Sequence, residues 1–149
     1  MGFKEAINTV LKQKYATFQG RAARSEFWYF FLFVTIVGIV LMGLAFATGG
    51  GAMLDGRQAG GLAIVFIGIY VIFYLAILIP SIAVSVRRLH DRNLSGWWYL
   101  GMILASFVPF VGFIASLAFL VVMCLKGTDG ENKYGPDPLK GAANAEVFS

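Results

Sequence analysis

The residues best able to do chemistry stand in one short run, Arg87-Arg88-Leu89-His90-Asp91-Arg92, with Leu89 its only apolar break. A histidine titrates near physiological pH, so His90 and Asp91 beside guanidinium groups could handle protons. The same side chains could instead pair with carboxylates elsewhere in the chain and with lipid phosphates, pinning helix ends together. The neighbouring sequence favours the second role. Leu62 to Val86 precedes the run without a charge, and Trp97 to Leu125 follows it without one. Proton relays in membranes have members inside the spans, and these stretches have none. The same absence argues against an ion-coupled transporter. The single His sits in the basic run, so no serine has a histidine base beside it, which argues against a serine hydrolase. One His and one Cys, Cys124, exclude a His/Cys-only metal site and an intramolecular disulfide. The GxG spacings after Lys126 neither follow a strand nor open a helix, so they are poor phosphate loops. No cofactor is expected.

Two further polar groups resemble the first in setting. Arg21 and Arg24 lie three residues apart and share a helix face, and Glu26 sits at the brink of an apolar stretch. Asn132 and Asp137 lie in a segment dense in turn residues, Lys126 to Pro138, which reads as an ordered loop. A polar cluster of Arg21, Arg24, Glu26, Arg87, Arg88, His90, Asp91, Asn132 and Asp137 is therefore expected at a membrane boundary. Its roles would be ion pairing and binding of headgroups or a partner. Glu26 should come within ion-pair reach of Arg87 or Arg88, and Asp91 or Asp137 should lie near Arg21 or Arg24.

The elements that must position these groups follow from hydropathy. The 149 residues are 58% hydrophobic and 13% charged, half the charge of an ordinary soluble domain. About 20 apolar residues at 1.5 Å each cross a ~30 Å hydrocarbon core. The expected fold is an all-α integral membrane protein, a small polytopic helix bundle with three apolar segments, forming one membrane domain over 1–138. Residues 1–17 read as an interfacial helix with Phe3, Ile7, Val10 and Leu11 on one face. The first span covers 27–47, opening on the aromatic belt Phe27 to Phe31. The second covers 62–86 and is bent near its end by Pro80. A glycine-rich loop with Asp55 and Arg57 joins them. Small pairs Gly43/Ala47, Ser81/Ser85, Gly101/Ala105 and Gly112/Ser116 predict close helix contacts. Residues 139–149 read as a disordered tail. The N-terminus reads without a cleavable signal.

The third segment, 97–125, is too long for one upright span, at about 43 Å. Pro109 breaks it. Two arrangements fit: a single kinked span, or a hairpin turning at Phe107 to Gly112 and returning to its starting side. Positive charge favours the hairpin. The N-terminal segment carries five Lys/Arg, the glycine loop one, the 87–96 turn three and the tail three. The positive-inside rule then places the N-terminus and the Arg87 turn in the cytoplasm, and a hairpin keeps the tail lysines there as well.

Three motifs stand together: Phe18-x-Gly20-Arg21-x-x-Arg24-x-Glu26-Phe27-Trp28, Arg87-Arg88-Leu89-His90-Asp91-x-x-x-Ser95-Gly96-Trp97, and Gly127-Thr128-x-Gly130-x-Asn132-x-Tyr134-Gly135-x-Asp137-Pro138. Over roughly residues 12 to 138 the chain closely resembles the YhaH-like family, small bacterial inner-membrane proteins grouped as a domain of unknown function. Asn93 stands where that family often has a glycine, and Asn tolerates the same left-handed backbone. The resemblance implies the bacterial inner membrane and carries over no catalytic residue. The expected function is a non-enzymatic accessory or assembly module. Its cytoplasmic face would bind a protein partner or anionic lipid headgroups, with no nucleic-acid partner. A small oligomeric transporter or channel is the alternative, and an enzyme acting on lipid comes third.

Overall fold

The computed structural model describes residues 1–140 of the chain. It is helical throughout, and among the described residues it has no β-strand. A short helix α1, Phe3–Asn8, runs into a π-helical turn over Thr9–Gln13. Two long helices follow, α2 over Arg24–Ala47 and α3 over Gly61–Asp91. The last pair is short, α4 over Trp97–Ser106 and α5 over Val111–Cys124.

The two long helices form an antiparallel pair. At one end the N–H of Ala22 donates to the Arg87 carbonyl at 3.0 Å. At the other end Gly60 packs against the Thr48 carbonyl so closely that a Cβ would come within 2.6 Å of it. Their most apolar windows have mean hydropathies of 2.7 and 2.9, yet only 17% and 11% of those windows is buried in protein. A soluble core helix of that hydropathy would be mostly buried. Apolar surface left uncovered along two helices of about 36 and 46 Å is the pattern of a chain solvated by lipid.

The segment after Asp91 turns through Asn93, whose φ of 59° is the left-handed backbone expected of it. Chain direction reverses again between α4 and α5 at Phe107 to Phe110. Pro109 ends the first helix there, and Phe110 takes φ 63°. Gly112 fits against Ser106, where a Cβ would stand 2.8 Å from the Ser106 Cα. Tyr99 and Phe119 face each other across the hairpin at 5.8 Å. The hairpin therefore returns to the end of the bundle from which it left, and the Thr128 N–H donates to the Asp91 carbonyl at 2.8 Å. The turn closes with its own bonds, from Gly112 N–H to Val108 O and Ile114 N–H to Phe110 O. Its side chains are exposed.

Other expectations need adjustment. The N-terminal element is not one α-helix over 1–17. The π-turn shifts its register, so Ala6, Thr9 and Val10 are buried while Phe3 is exposed. The first span starts three residues early, at Arg24, and α3 continues five beyond Val86 to Asp91. A Cβ at Gly43 or Gly101 would meet no atom within 4 Å, so neither glycine seats a neighbour among the described residues. The close approach of α2 and α3 occurs instead at Gly38, where a Cβ would lie 3.1 Å from the Tyr74 hydroxyl. Of the 139–149 tail, residues 141–149 lie outside the described residues.

Candidate functional site

Nearly all the described charges lie at one end of the bundle; Asp55 and Arg57, paired at 2.9 Å on the surface, mark the other. At the charged end α3 outruns its apolar stretch and carries Arg87, Arg88, His90 and Asp91 on its last turn and a half. Cations at a helix C-terminus are favoured by the helix dipole. Gly20, with φ 83°, turns the incoming chain so that Arg21 faces that terminus.

Arg21, Glu26, Arg87, Arg88 and Asp91 are all nearly inaccessible. A buried charge needs a partner, and each has one. Arg87 is ion-paired with Glu26, tying α3 to the first turn of α2. Arg88 and Arg21 share Asp91 between them: Arg88 binds Oδ2, and Arg21 binds Oδ1 at 2.9 Å. Asp91 also lies against the Cα of Gly127, where a Cβ would collide with the carboxylate. Two nitrogens of Arg87, Nε and Nη2, have no hydrogen-bond partner among the described residues.

The remaining donors gather the C-terminal segment. Arg88 donates to the carbonyls of Met123 and Leu125, two of the acceptors that the end of α5 leaves open. Arg21 donates to the carbonyls of Thr128, Gly130 and Gly135. Arg92 donates to the Lys126 carbonyl. Asn132 holds its own loop, accepting from the Tyr134 N–H at 2.9 Å, and its amide donates to the His90 carbonyl at 3.0 Å. The His90 ring stacks on Tyr134 with centroids 3.8 Å apart and planes 4° from parallel. Its Nδ1 lies 3.2 Å from the Gly20 carbonyl, which fixes Nδ1 as the protonated nitrogen. Asp137 accepts from Leu139 and Gly130 N–H groups at 3.0 and 3.2 Å. The Leu139 bond first, then the Gly130 bond and the charge of Arg21, hold its carboxyl below the usual range.

Eight of the nine candidate residues thus meet in one cluster. Arg24 differs: it is exposed and has no ion pair or hydrogen bond among the described residues. It lines a cavity of about 260 Å³ between the start of α2 and the 126–129 segment. Burial of Arg21, Arg87 and Arg88 removes them as direct headgroup contacts, leaving Arg24 as the accessible cation of the four arginines. Sequence reasoning missed Arg92, Gly127 and Tyr134 as members. Their partners are backbone carbonyls, a Cα and a ring face, none of which has a compositional signature.

A family described as a protein of unknown function, DUF805, matches residues 15–136. The chain is 40% identical over 129 residues to the Escherichia coli K12 protein named Inner membrane protein YhaH, covering 87% of this chain and 92% of that one. It is 37% identical over 134 residues to Inner membrane protein YhaI of the same strain, covering 90% and 95%. A third relative, Uncharacterized protein YiiR, is 32% identical over 148 residues, covering 85% and 89%. No solved structure matches.

Proposed function

The chain belongs to the DUF805 family, whose function is unknown, and we propose that it is a multi-pass inner-membrane protein acting as a non-enzymatic accessory or assembly module. Its charged end would lie in the cytoplasm and engage a protein partner or anionic headgroups. One observation carries this reading. Five ionisable side chains from separate segments, Arg21, Glu26, Arg87, Arg88 and Asp91, are buried and paired with one another. A catalytic group must stay available to substrate, whereas these fasten the N-terminal segment, α3 and the tail into one preformed face.

The distribution of charge supports this sidedness. Lys4, Lys12, Lys14, Arg24, Lys126 and Lys133 share that end, while the opposite loop has Arg57 alone. The α4–α5 hairpin then enters from the cytoplasmic side and returns. At 10 and 14 residues its helices reach about 15 and 21 Å, short of the ~30 Å hydrocarbon core.

Extraction of the tagged chain in mild detergent, followed by native mass measurement, tests the proposal. A stoichiometric protein partner or retained anionic lipid supports it. A homo-oligomer carrying neither supports the small transporter or channel instead.

A further inference from the structure

Two cavities lie along one wall of the bundle. The polar one, about 260 Å³, is lined by four cations and three carboxylates: Arg21, Arg24, Arg88 and Lys126 against Asp91, Asp129 and Asp137. Arg21 and Arg88 direct their donors inward to Asp91 and the tail carbonyls. Arg24 and Ser25 have no hydrogen-bond partner for their side chains among the described residues and face the cavity. Lys126 pairs with Asp129 at 2.7 Å, but both are more than half exposed, so the pair is weak and exchangeable. Arg24 also opens α2 after Ala23, which has no side-chain acceptor, and the first-turn acid Glu26 faces Arg87. A cation and the positive end of a helix converge there, with no side-chain cap on the helix among the described residues.

The second cavity is apolar, about 430 Å³, with Phe27, Phe31, Val34, Thr35, Tyr74 and Phe119 among its lining. Arg24, Phe27, Phe31 and Val34 recur at helical spacing, so α2 presents the polar and apolar cavities on one face. The facing wall repeats the order: Phe119 of α5 lines the apolar cavity and Lys126, beyond its end, the polar one. A free phosphate would occupy only the first. A molecule with a phosphate head and a hydrocarbon chain fits both, in the orientation the bundle imposes.

We infer that this wall is a phospholipid site. Arg24, Ser25 and Lys126 seat one headgroup phosphate, and an acyl chain lies against Phe27, Phe31 and Thr35. Asp129 and Asp137 close the far side of the head cavity, which suits a single phosphate and opposes a polyphosphorylated head. The inference deepens the headgroup reading above and rests on it.

The test uses the full chain, delipidated in detergent and titrated with dioleoyl phosphatidylglycerol under native mass spectrometry. One equivalent should bind. The double variant R24Q/K126Q should bind about thirtyfold more weakly, since each cation at an anionic surface contributes on the order of fivefold. Thr35→Trp, which narrows the chain cavity, should also weaken binding, and Thr35→Leu covers the case where the larger residue prevents folding. K4Q/K12Q, distant from both cavities, should leave binding unchanged. Glycerol phosphate should not compete at equal concentration. Equal binding by R24Q/K126Q overturns this site while sparing the headgroup reading. Effective competition by glycerol phosphate overturns the lipid in favour of a simple anion. No phosphatidylglycerol binding at all overturns the site and the headgroup reading together.

Discussion

The hydroxyl of Tyr15 donates to the backbone carbonyl of Ala76. In α3 that carbonyl would ordinarily accept from the N–H four residues on, which is Pro80 and has none. The N-terminal segment thereby supplies the hydrogen bond that the proline removes. Tyr15→Phe should cost about 0.5–1.5 kcal/mol, the net worth of an intramolecular hydrogen bond. In a Pro80→Ala background the cost should shrink, because the helix then satisfies the carbonyl itself. A double-mutant cycle by denaturant unfolding in detergent checks this; additive effects would reject the relationship.

Glu26 and Arg87 should behave as a unit. Glu26→Gln alone leaves a buried guanidinium without its counter-charge and should cost about 3–5 kcal/mol. Replacing both, as E26L/R87M, should recover most of that loss, because an apolar pair needs no desolvation repayment. The same unfolding assay reads both.

Gly127→Ala should detach the tail. The added methyl collides with the Asp91 carboxylate, which already holds Arg21 and Arg88. Tryptic cleavage at Lys133 should accelerate by about tenfold or more, as local opening becomes easier by over a kcal/mol. Cleavage at Arg57, at the opposite end, should not change.

Acid should loosen the same loop through Asp137. Backbone hydrogen bonds from Leu139 and Gly130 hold its folded carboxyl below the ordinary aspartate range. A depressed pKa means stability that is present above the unfolded pKa and lost as pH falls through the folded one. Tyr134 fluorescence should therefore report loosening only below about pH 4, and Asp137→Asn should abolish that step.

Sidedness can be read with single cysteines in a Cys124→Ser background. Arg57→Cys should react with a membrane-impermeant reagent in intact cells. Lys12→Cys and Lys140→Cys should react only after the membrane is opened. Reaction of Lys140→Cys in intact cells would place the tail outside and require the hairpin to cross.

Much of this arrangement can be read before any coordinates. Charge-free stretches leave Glu26 and Arg87 few partners but each other. Pro109 breaks a segment too long to cross upright, and Asn93 marks a left-handed turn. What composition cannot reveal is backbone acceptance. Arg21 and Arg88 each bind three carbonyls, and any residue could have supplied them. Pro80 announces an orphan at Ala76, yet nothing local announces Tyr15 as its donor. Gly43 and Gly101 misdirect for a related reason: spacing shows that a helix can be approached closely, not that anything approaches.

The order of synthesis gives the tail a further consequence. Arg21 and Asp91 emerge from the ribosome well before Thr128, Gly130 and Gly135, whose carbonyls complete the bonding of Arg21. Until those residues arrive, two arginines share one carboxylate with most of their donors unmet. A nascent or truncated chain therefore displays polar groups at its membrane boundary that the finished chain hides. Completion of the protein is thus written into its surface, in a form that cellular proteolysis can distinguish.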